Sequence, residues 1–312
     1  MIKKLSIIAC LVLSTLATQA QHQVISFFDE VGSARIQTEE FSQVHDTIVK
    51  IEHRIDDVIW ARYVYRVIDM RYKQNYQLYN PVSSEDPQYK SLFLVMLNAI
   101  KDGMDVYEKS SEVGDIKPYF NLPPMPREMI PTILNTDRTG ELSDGNIATS
   151  EYMLLNYDST TNEMRFNNYT YKGFVRNQLK YMIQEIVFFD KHYSRLYSKI
   201  MAIAPMHADN TTYYDGQPIM EALYGQILFW VPFDAFRPYM AKQYVMQTDN
   251  ESKRVTFDDF FLKKLYSSYL VGTSGEYDRM IPDYATTPEA IAKEQELIEW
   301  ELLSAEQDLW EY

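Results

Sequence analysis

The stretch that decides the fold is residues 185–205, which read EIVFFDKHYSRLYSKIMAIAP. Its first part, residues 186–189, consists of β-branched and aromatic residues. Its second part, residues 195–204, alternates side chains between two faces with the period of two that is typical of a half-buried strand. The polar residues 190–194 separate the two parts. We therefore predict a β-hairpin whose turn is residues 190–194.

A single hairpin needs further strands or helices to cover its apolar face. The best candidate for a third strand is residues 225–233, GQILFWVPF, and residues 104–108 are predicted as a short strand. Elsewhere, apolar residues recur at spacings of three and four and predict helices. The predicted helices are residues 46–73, 89–102, 172–183, 234–246, 257–269 and a last helix from Thr287. The sequence thus predicts an α+β fold, with a small antiparallel sheet, several helices, long polar loops and an acidic carboxy-terminal helix.

Turn and cap residues mark several of these boundaries. Asn80 and Pro81 end the first helical pattern. Gly103 suits a left-handed cap after the second helix, and Asp234 is placed to accept amide protons in the first turn of another. Pro288 is favourable in the first turn of the last helix.

The final helix carries a strong charge imbalance. From residue 287 onward it has eight acidic residues against the single base Lys293. Like charges at helical spacing repel each other. The helix should therefore be held by docking of its apolar residues, or by a basic partner. The apolar residues suited to docking are Ile291, Ile298, Leu302 and Leu309.

Residues 110–146 are rich in proline, glycine, asparagine and aspartate, so we predict a long loop excursion at about 110–150 rather than a packed element. Within it, residues 135–146 lack the ligand order and the closing bidentate glutamate of a calcium loop. A solvated loop is the favoured interpretation. After it, residues 152–158 and 164–171 are predicted to form a second hairpin.

The amino terminus has the pattern of a secretory signal peptide, with Lys3 and Lys4, an apolar run, and small or polar residues up to Ala20. Cleavage is predicted after Ala20. The run is shorter than the about 20 apolar residues of a membrane span. A lipoprotein signal ending at Cys10 is a rival that leaves a very short apolar region. The predicted organisation is a signal peptide at 1–20, an arm at 21–45 and a single domain at 46–312.

Composition narrows the classes of function. Cys10 is the only cysteine and leaves with the predicted signal, so the mature chain has neither disulfides nor cysteine metal sites. The formal net charge of −14 argues against nucleic acid, which needs a basic footprint. Aromatic residues make up 14% of the chain, with 25 tyrosines. Such a content fits extensive interfaces or a tyrosine-rich interior.

Residue types that carry catalysis form no recognisable constellation. No Gly-x-Ser-x-Gly elbow or phosphate loop is present. The acidic pairs at 56–57 and 258–259 are explained by the helix dipole. The histidines lack the spacing of a zinc helix, so surface or capping roles are favoured. They are His22, His45, His53, His192 and His207. The prediction is a protein without enzymatic activity, cofactor or metal, and the sequons at Asn168, Asn210 and Asn250 predict exposed sites.

Six segments, taken in order and with their spacing, carry a family resemblance. They are DDVIWARYVYRVIDMRYKQNYQLYNP (56–81), YKSLFLVMLNAIKDGMDVYE (89–108), residues 185–205, LFWVPFDAFRP (228–238), VTFDDFFLKKLYSSYLVGTSGEYDRMIPDY (255–284) and DLWEY (308–312). Together they closely resemble the GldN/PorN family of the type IX secretion and gliding-motility apparatus. The resemblance covers most of the chain from about residue 50, apart from loops at 110–170 and 206–220. Pro232 and Asp234 stand where an aromatic residue and a proline are more typical.

The resemblance implies a periplasmic, non-enzymatic subunit of a large ring beneath the outer membrane. It further implies association with a GldK/PorK-type lipoprotein and with the periplasmic part of a GldM/PorM-type motor-stator protein. A head-to-tail ring requires two different, complementary patches on each copy. As a hypothesis, one patch is the aromatic series and the other is the acidic helix with its terminal aromatics, with packing inside the chain as the alternative for each residue. The residues are Tyr63, Tyr72, Tyr76, Tyr79, Trp310 and Tyr312.

Two other classes of function compete with the structural one. A periplasmic ligand- or glycan-binding module would use aromatic platforms among Tyr213, Tyr214, Trp230 and Phe233. An acid/base hydrolase would need two positioned carboxylates, which the sequence does not single out.

Overall fold

The computed structural model describes residues 35–40, 49–81, 89–109, 117–118, 120–135, 155–158, 160–161, 163–166, 179–207, 213–214, 217–218, 226–246, 255–274 and 280–310. The predicted signal peptide with its cleavage after Ala20, residues 136–146 of the predicted solvated loop and the three sequons lie outside the described residues. So do His22, His45 and Tyr312.

The strands, in chain order, are β1 (Arg35–Glu40), β2 (Val49–Arg54), β3 (Val58–Asp69), β4 (Leu155–Asp158), β5 (Glu163–Phe166), β6 (Leu179–Asp190), β7 (Arg195–His207), β8 (Tyr213–Tyr214), β9 (Gln217–Pro218), β10 (Gln226–Ile227), β11 (Val231–Pro232) and β12 (Tyr269–Thr273). The main sheet is antiparallel, with the order β10-β7-β6-β3-β12 and with β11 also paired to β7. Three separate antiparallel pairs are β1–β2, β4–β5 and β8–β9.

The helices are α1 (Tyr76–Tyr79), α2 (Leu92–Lys101), α3 (Met129–Asn135), α4 (Phe233–Met240), α5 (Phe257–Leu262), α6 (Ile281–Tyr284) and α7 (Pro288–Trp310). Short 3₁₀ turns lie at Ile55–Asp57 and Lys73–Asn75. The described part therefore confirms an α+β fold with an antiparallel sheet. The single-domain organisation stays a prediction.

The predicted hairpin is confirmed as β6 and β7, whose last pair before the turn is Asp190 with Arg195. Its first strand begins earlier than expected. Residues 179–183, predicted as the end of a helix, belong to β6. Because Met182 and Ile183 are both fully buried on opposite faces of an inner strand, their apolar run lacks the alternation that marks a half-buried strand. The start of that predicted helix lies outside the described residues.

The prediction of a helix at 46–73 is wrong, because this segment forms β2, a 3₁₀ turn and β3. β3 is an inner strand that pairs with β6 on one edge and with β12 on the other. Val64 and Val67 are both fully buried, on opposite faces. A strand covered on both faces shows apolar residues at three- and four-residue spacings by chance, and its β-branched and aromatic content was the better signal.

The predicted third strand pairs with β7, but only as the two short segments β10 and β11. Pro232 lacks an amide proton and stands at the end of β11, where the chain turns into α4. Residues 104–108 form an isolated bridge instead of a strand, in which Tyr107 and Trp230 exchange both backbone hydrogen bonds, at 2.8 and 2.7 Å.

Several helix boundaries differ from those predicted. α2 is confirmed, with Ser91 accepting from the Leu94 amide at 3.3 Å and with Gly103 at a φ of +118° after its end. α5 ends at Leu262, and the predicted continuation to residue 269 is a turn leading into β12. Asp234 does not cap α4. It lies in the first turn, and its carboxylate contacts Lys199 at 2.8 Å.

Part of the predicted loop excursion is a packed element. α3 lies within it, and Met125, Ile130 and Leu134 join the largest core cluster. The second hairpin is confirmed as β4 and β5, with strands shorter than predicted. The start of the last helix is also confirmed, since α7 begins at Pro288 and the Thr287 hydroxyl accepts from the Ala290 amide at 3.3 Å.

Two groups of helices cover one face of the main sheet. Helices α2, α4 and α5 pack on Ile68, Ile183 and Ile203. Farther along the same face, α7 packs on Val64 and Val187. The opposite face carries a second cluster that includes Tyr65, Val67, Met182, Tyr107 and Trp230.

Candidate interaction surfaces

His53 is buried, so its predicted surface or capping role is wrong. Its Nδ1 hydrogen-bonds the Asp190 carboxylate, and its ring packs on Phe188 and Tyr197 with centroids 5.2 and 4.5 Å away. Asp190 also accepts from the His192 amide at 2.7 Å. The pair therefore holds the turn between β6 and β7 against β2.

A histidine oriented by a carboxylate is also half of a general-base arrangement. Here both groups are almost fully buried, and aromatic rings cover the imidazole. The His53–Asp190 pair therefore stabilises the packing of the β6–β7 turn on β2. The sequence signal that was overlooked is the strict alternation of VKIEHR in β2, which places His53 on the side of Val49 and Ile51.

A second buried carboxylate, Glu185, lies on the sheet between the two helix groups. The Tyr266 hydroxyl donates to it at 2.9 Å and the Ser198 hydroxyl at 3.3 Å. Lys264 Nζ lies 3.5 Å away and Arg66 Nε 3.8 Å away. Burial, and then the charge of Glu185, raises the pKa of Tyr266 well above its usual value. These contacts tie the segment after α5 to the middle of the sheet.

Arg237 of α4 and Asp258 of α5 form a buried bidentate ion pair, with N–O distances of 2.8 and 2.9 Å. The neighbouring Asp259 contacts Lys263 one turn later, at 3.7 Å. Both carboxylates lie in the first turn of α5, where the helix dipole favours them, and Asp258 also links two helices through their interior.

The four tyrosines of the predicted aromatic patch are not brought together. Tyr63 is half-buried in β3, and burial raises its pKa to about 12. It precedes the end of the strand by six residues, or about 20 Å. Tyr72 and Tyr76 are 49% and 36% exposed. Tyr79 packs partly on the core, with its ring 5.3 Å from that of Tyr76.

Side-chain hydrogen bonds attach residues 71–79, which we call the tyrosine turn, to the rest of the fold. The buried Asn75 side chain donates to the carbonyl oxygens of Asp69 and Ser267 at 2.7 and 2.8 Å. Arg71 makes a bidentate contact with Asp69. Burial by itself raises the pKa of Asp69, but hydrogen bonds from Arg71 and the charge of Lys180 outweigh it, so the pKa is lowered. The turn presents Tyr72 and Tyr76 on a rigid base.

Helix α7 docks through its apolar side chains, as predicted. Ile298 and Leu302 are buried against Val64, Val187 and Leu270, and Ile291 packs beside them. Two ion pairs border this contact, Arg62 with Glu301 at 3.2 Å and Arg66 with Glu299 at 3.3 Å. The structure does not describe the side chains of Leu309 and Trp310.

The outward side of α7 carries large apolar residues that the sequence analysis missed. Leu297, Trp300 and Leu303 are 47%, 67% and 63% exposed. Their spacing of three places them on one side of the helix, away from Ile298 and Leu302. The available signal was a second apolar series in α7, out of phase with the one that docks.

A family model described as "Gliding motility associated protein GldN" matches residues 53–311. The chain belongs to the GldN family. A search of curated proteins gave no match. Family membership makes this a protein associated with gliding motility, and the match begins at the buried His53 and extends beyond α7.

Two of the four residues of the rival aromatic platform are buried in this GldN-family chain. Trp230 and Phe233 are buried in the core, where a sugar ring cannot stack on them. The side chains of Tyr213 and Tyr214 in β8 are not among those described. A glycan site that relies on Trp230 or Phe233 is therefore wrong.

Two features are absent from the residues that the structure describes in this GldN-family chain. Among these, no helix combines the length and hydropathy that crossing a bilayer requires. In the same ranges, no three histidine, cysteine, aspartate or glutamate residues are grouped as a metal ion would need.

Proposed function

We propose that this chain is a non-enzymatic structural subunit of the periplasmic ring of the type IX secretion and gliding-motility machinery. The observation that carries the proposal is the GldN family match over residues 53–311. It is supported by the interior charges, since His53, Glu185 and Asp258 are each engaged in holding elements of the fold together. Such groups stabilise a scaffold.

The proposed partners are a GldK/PorK-type outer-membrane lipoprotein and the periplasmic part of a GldM/PorM-type motor-stator protein. The proposed location is the periplasm, at the outer membrane through the lipoprotein. The sequence at 1–20 supports export, because it has the charged start, apolar run and small residues of a signal peptide.

A ring subunit must bind its neighbours through two distinct surfaces. The tyrosine turn and the outward side of α7 are two such candidates, because they lie on different elements and each presents exposed aromatic or apolar side chains. We retain Tyr72 and Tyr76 as the best members of the first patch. Tyr79 supports that turn from within the fold, Tyr63 lies in the sheet apart from it, and Trp310 and Tyr312 stay assigned to the second patch.

The test is co-expression with the lipoprotein partner, followed by light scattering and identification of what co-purifies from the envelope. We expect assemblies far larger than the 36.7 kDa chain. A Tyr72→Ala, Tyr76→Ala double variant should assemble less, whereas Leu122→Ala, which alters another exposed apolar residue, should assemble normally.

A solitary monomer that ignores the lipoprotein would refute this function. A ligand-binding module gives that result and also raises its melting temperature when ligand is added.

A further inference from the structure

We propose that the α7 stripe, Leu297, Trp300 and Leu303, is the docking surface for a lysine- and arginine-rich amphipathic helix of a partner protein. The inference deepens the proposed function by assigning a surface and a chemistry to one of its contacts, and it rests on that function for the existence of a protein partner.

The stripe has the apolar character of a binding site. Three large side chains, each about half exposed or more, follow one another on one side of a helix. Grouped exposed apolar residues mark interaction sites, whereas scattered ones do not. Tryptophan is also among the residues that contribute most to binding energy when a partner covers it. Trp300, in the middle of the stripe, is its natural anchor.

The stripe is presented on a fixed support. Ile298 and Leu302 anchor the opposite side of α7 to the sheet, and the Gln295 side chain donates to the Leu270 carbonyl at 2.6 Å. The helix is therefore already formed and positioned before a partner arrives. Binding to a preorganised surface avoids the entropic cost of ordering it.

The charges around the stripe favour a basic partner. α7 carries seven acidic residues against Lys293 alone. Glu296 is exposed next to the stripe, and Glu299 and Glu301 lie to either side of it. Glu299 and Glu301 each contact an arginine, yet their side chains are still 52% and 47% exposed and accessible to a partner. A helix with apolar residues at spacings of three and four, flanked by lysine and arginine, complements this surface.

Two other occupants fit poorly. A second copy packed through the same helix would bring the acidic side chains of both α7 helices together, within a chain of net charge −14. Like charges facing each other oppose association. An anionic membrane surface attracts basic amphipathic helices and repels one with this composition.

The test uses two fluorescent 18-residue peptides that share one leucine pattern, one with lysine and one with glutamate at the polar positions. Each is titrated with the purified full-length chain, and binding is followed by anisotropy at low and at physiological salt. We expect the leucine–lysine peptide alone to bind, and to bind more weakly as salt rises.

The decisive variant is Leu297→Ala, Trp300→Ala, Leu303→Ala. It keeps every carboxylate, so it separates contact with the stripe from general charge attraction. We expect its affinity for the leucine–lysine peptide to fall by about tenfold or more. Leu122→Ala should bind as the original chain does. Alanine favours helix, and circular dichroism should show α7 retained.

A matched pair of charge-reversal variants tests whether the acidic residues beside the stripe contribute to peptide binding. Glu296→Lys lies beside the stripe and should weaken binding of the leucine–lysine peptide. Glu128→Lys makes the same change at an exposed position on another part of the surface and should bind as the original chain does.

Three results would overturn the inference: equal binding by the triple variant, equal binding of the glutamate peptide, or a dimer of the purified chain that the triple variant converts to monomer. The last would make a second copy the occupant. Failure of the proposed function looks different, because the chain would then stay outside any large assembly while still binding the leucine–lysine peptide through the stripe.

Discussion

The two helix groups on one face of the main sheet differ in how they are attached. Helices α2, α4 and α5 share one large core, in which almost the whole of α2 is buried and an interior ion pair joins α4 to α5. Helix α7 is longer than any of these, yet it docks by a narrow apolar seam bordered by exposed ion pairs.

This difference separates two tasks. Helices α2, α4 and α5 use most of their apolar side chains for contacts within the core, so they stabilise the fold and leave little surface for a partner. α7 uses one side for attachment and keeps large apolar residues on the other. Changes in the first group should therefore unfold the molecule, whereas changes on α7 should act locally or on binding.

The largest expected effect is in the interior ion pair. Asp258→Ala leaves the Arg237 guanidinium buried without its carboxylate and should lower the free energy of unfolding by about 3–5 kcal/mol. Urea denaturation measures it. The control is the neighbouring Asp259→Ala, whose contact with Lys263 is a partly exposed pair within one helix and should cost less than about 1 kcal/mol. Equal effects of the two would show that the interior ion pair is not what joins α4 to α5.

The next effect compares adjacent residues of α7. Leu302→Ala opens a space in the docking seam and should cost about 2–3 kcal/mol, at the lower end for buried leucine because the site is near the surface. Amide exchange should speed up in α7 before it does in α2. Leu303→Ala alters an exposed side chain and should change stability by less than about 0.5 kcal/mol. A cost as large as that of Leu302→Ala would mean that the outward side is packed.

Tyr266 lies at the border between the two helix groups. The effect of its substitution on the free energy of unfolding should depend on pH. Tyr266→Phe removes the hydrogen bond to Glu185 and should cost about 1–2 kcal/mol at pH 7. Because the fold raises the pKa of Tyr266, its contribution is fully present below the unfolded value near 10 and is lost as pH rises toward the folded value. The stability gap between the original chain and the variant should therefore shrink from pH 10 upward. A constant gap would show that the hydroxyl is not buried.

The smallest effect concerns the ion pairs beside the seam. Arg62→Ala removes the exposed contact with Glu301 and should cost less than about 1 kcal/mol, with the difference fading at high salt. Thermal unfolding at low and high ionic strength measures it. A large cost at low salt that mostly disappears at high salt would show that charge, rather than the apolar seam, holds α7.

Local patterns in the sequence predicted the elements that are half-buried. The half of β7 next to the turn is only partly buried, and α7 docks one side on the sheet, so in both elements the residues that face the fold recur with a recognisable period. β3 is covered on both faces and pairs on both edges, so the spacing of its apolar residues does not distinguish a strand from a helix. The predicted helix at 46–73 was wrong for this reason. The same cause hid the start of β6.

Local sequence patterns also predict surface residues incompletely. Tyr72 of the predicted patch is exposed, but deciding whether Tyr63 belongs with it required knowing that residue 63 lies in a strand. The burial of His53 depended on Asp190, 137 residues away in the chain. Contacts of that range have no local pattern, so only the fold reveals them.

The position of β3 has a consequence for the order of folding. Its Tyr65 side chain accepts a hydrogen bond from Gln184, 119 residues later, and its Tyr63 amide donates to Ser274, 211 residues later. A chain that emerges amino end first thus holds β3 with two unpaired edges until most of its length is available, and unpaired edges invite aggregation. Folding should begin at the β6–β7 hairpin, whose partners are close in the chain, and should end when β12 closes the sheet. Until β12 arrives, both edges of β3 are available to other chains, so a risk of aggregation during synthesis is part of the cost of this topology.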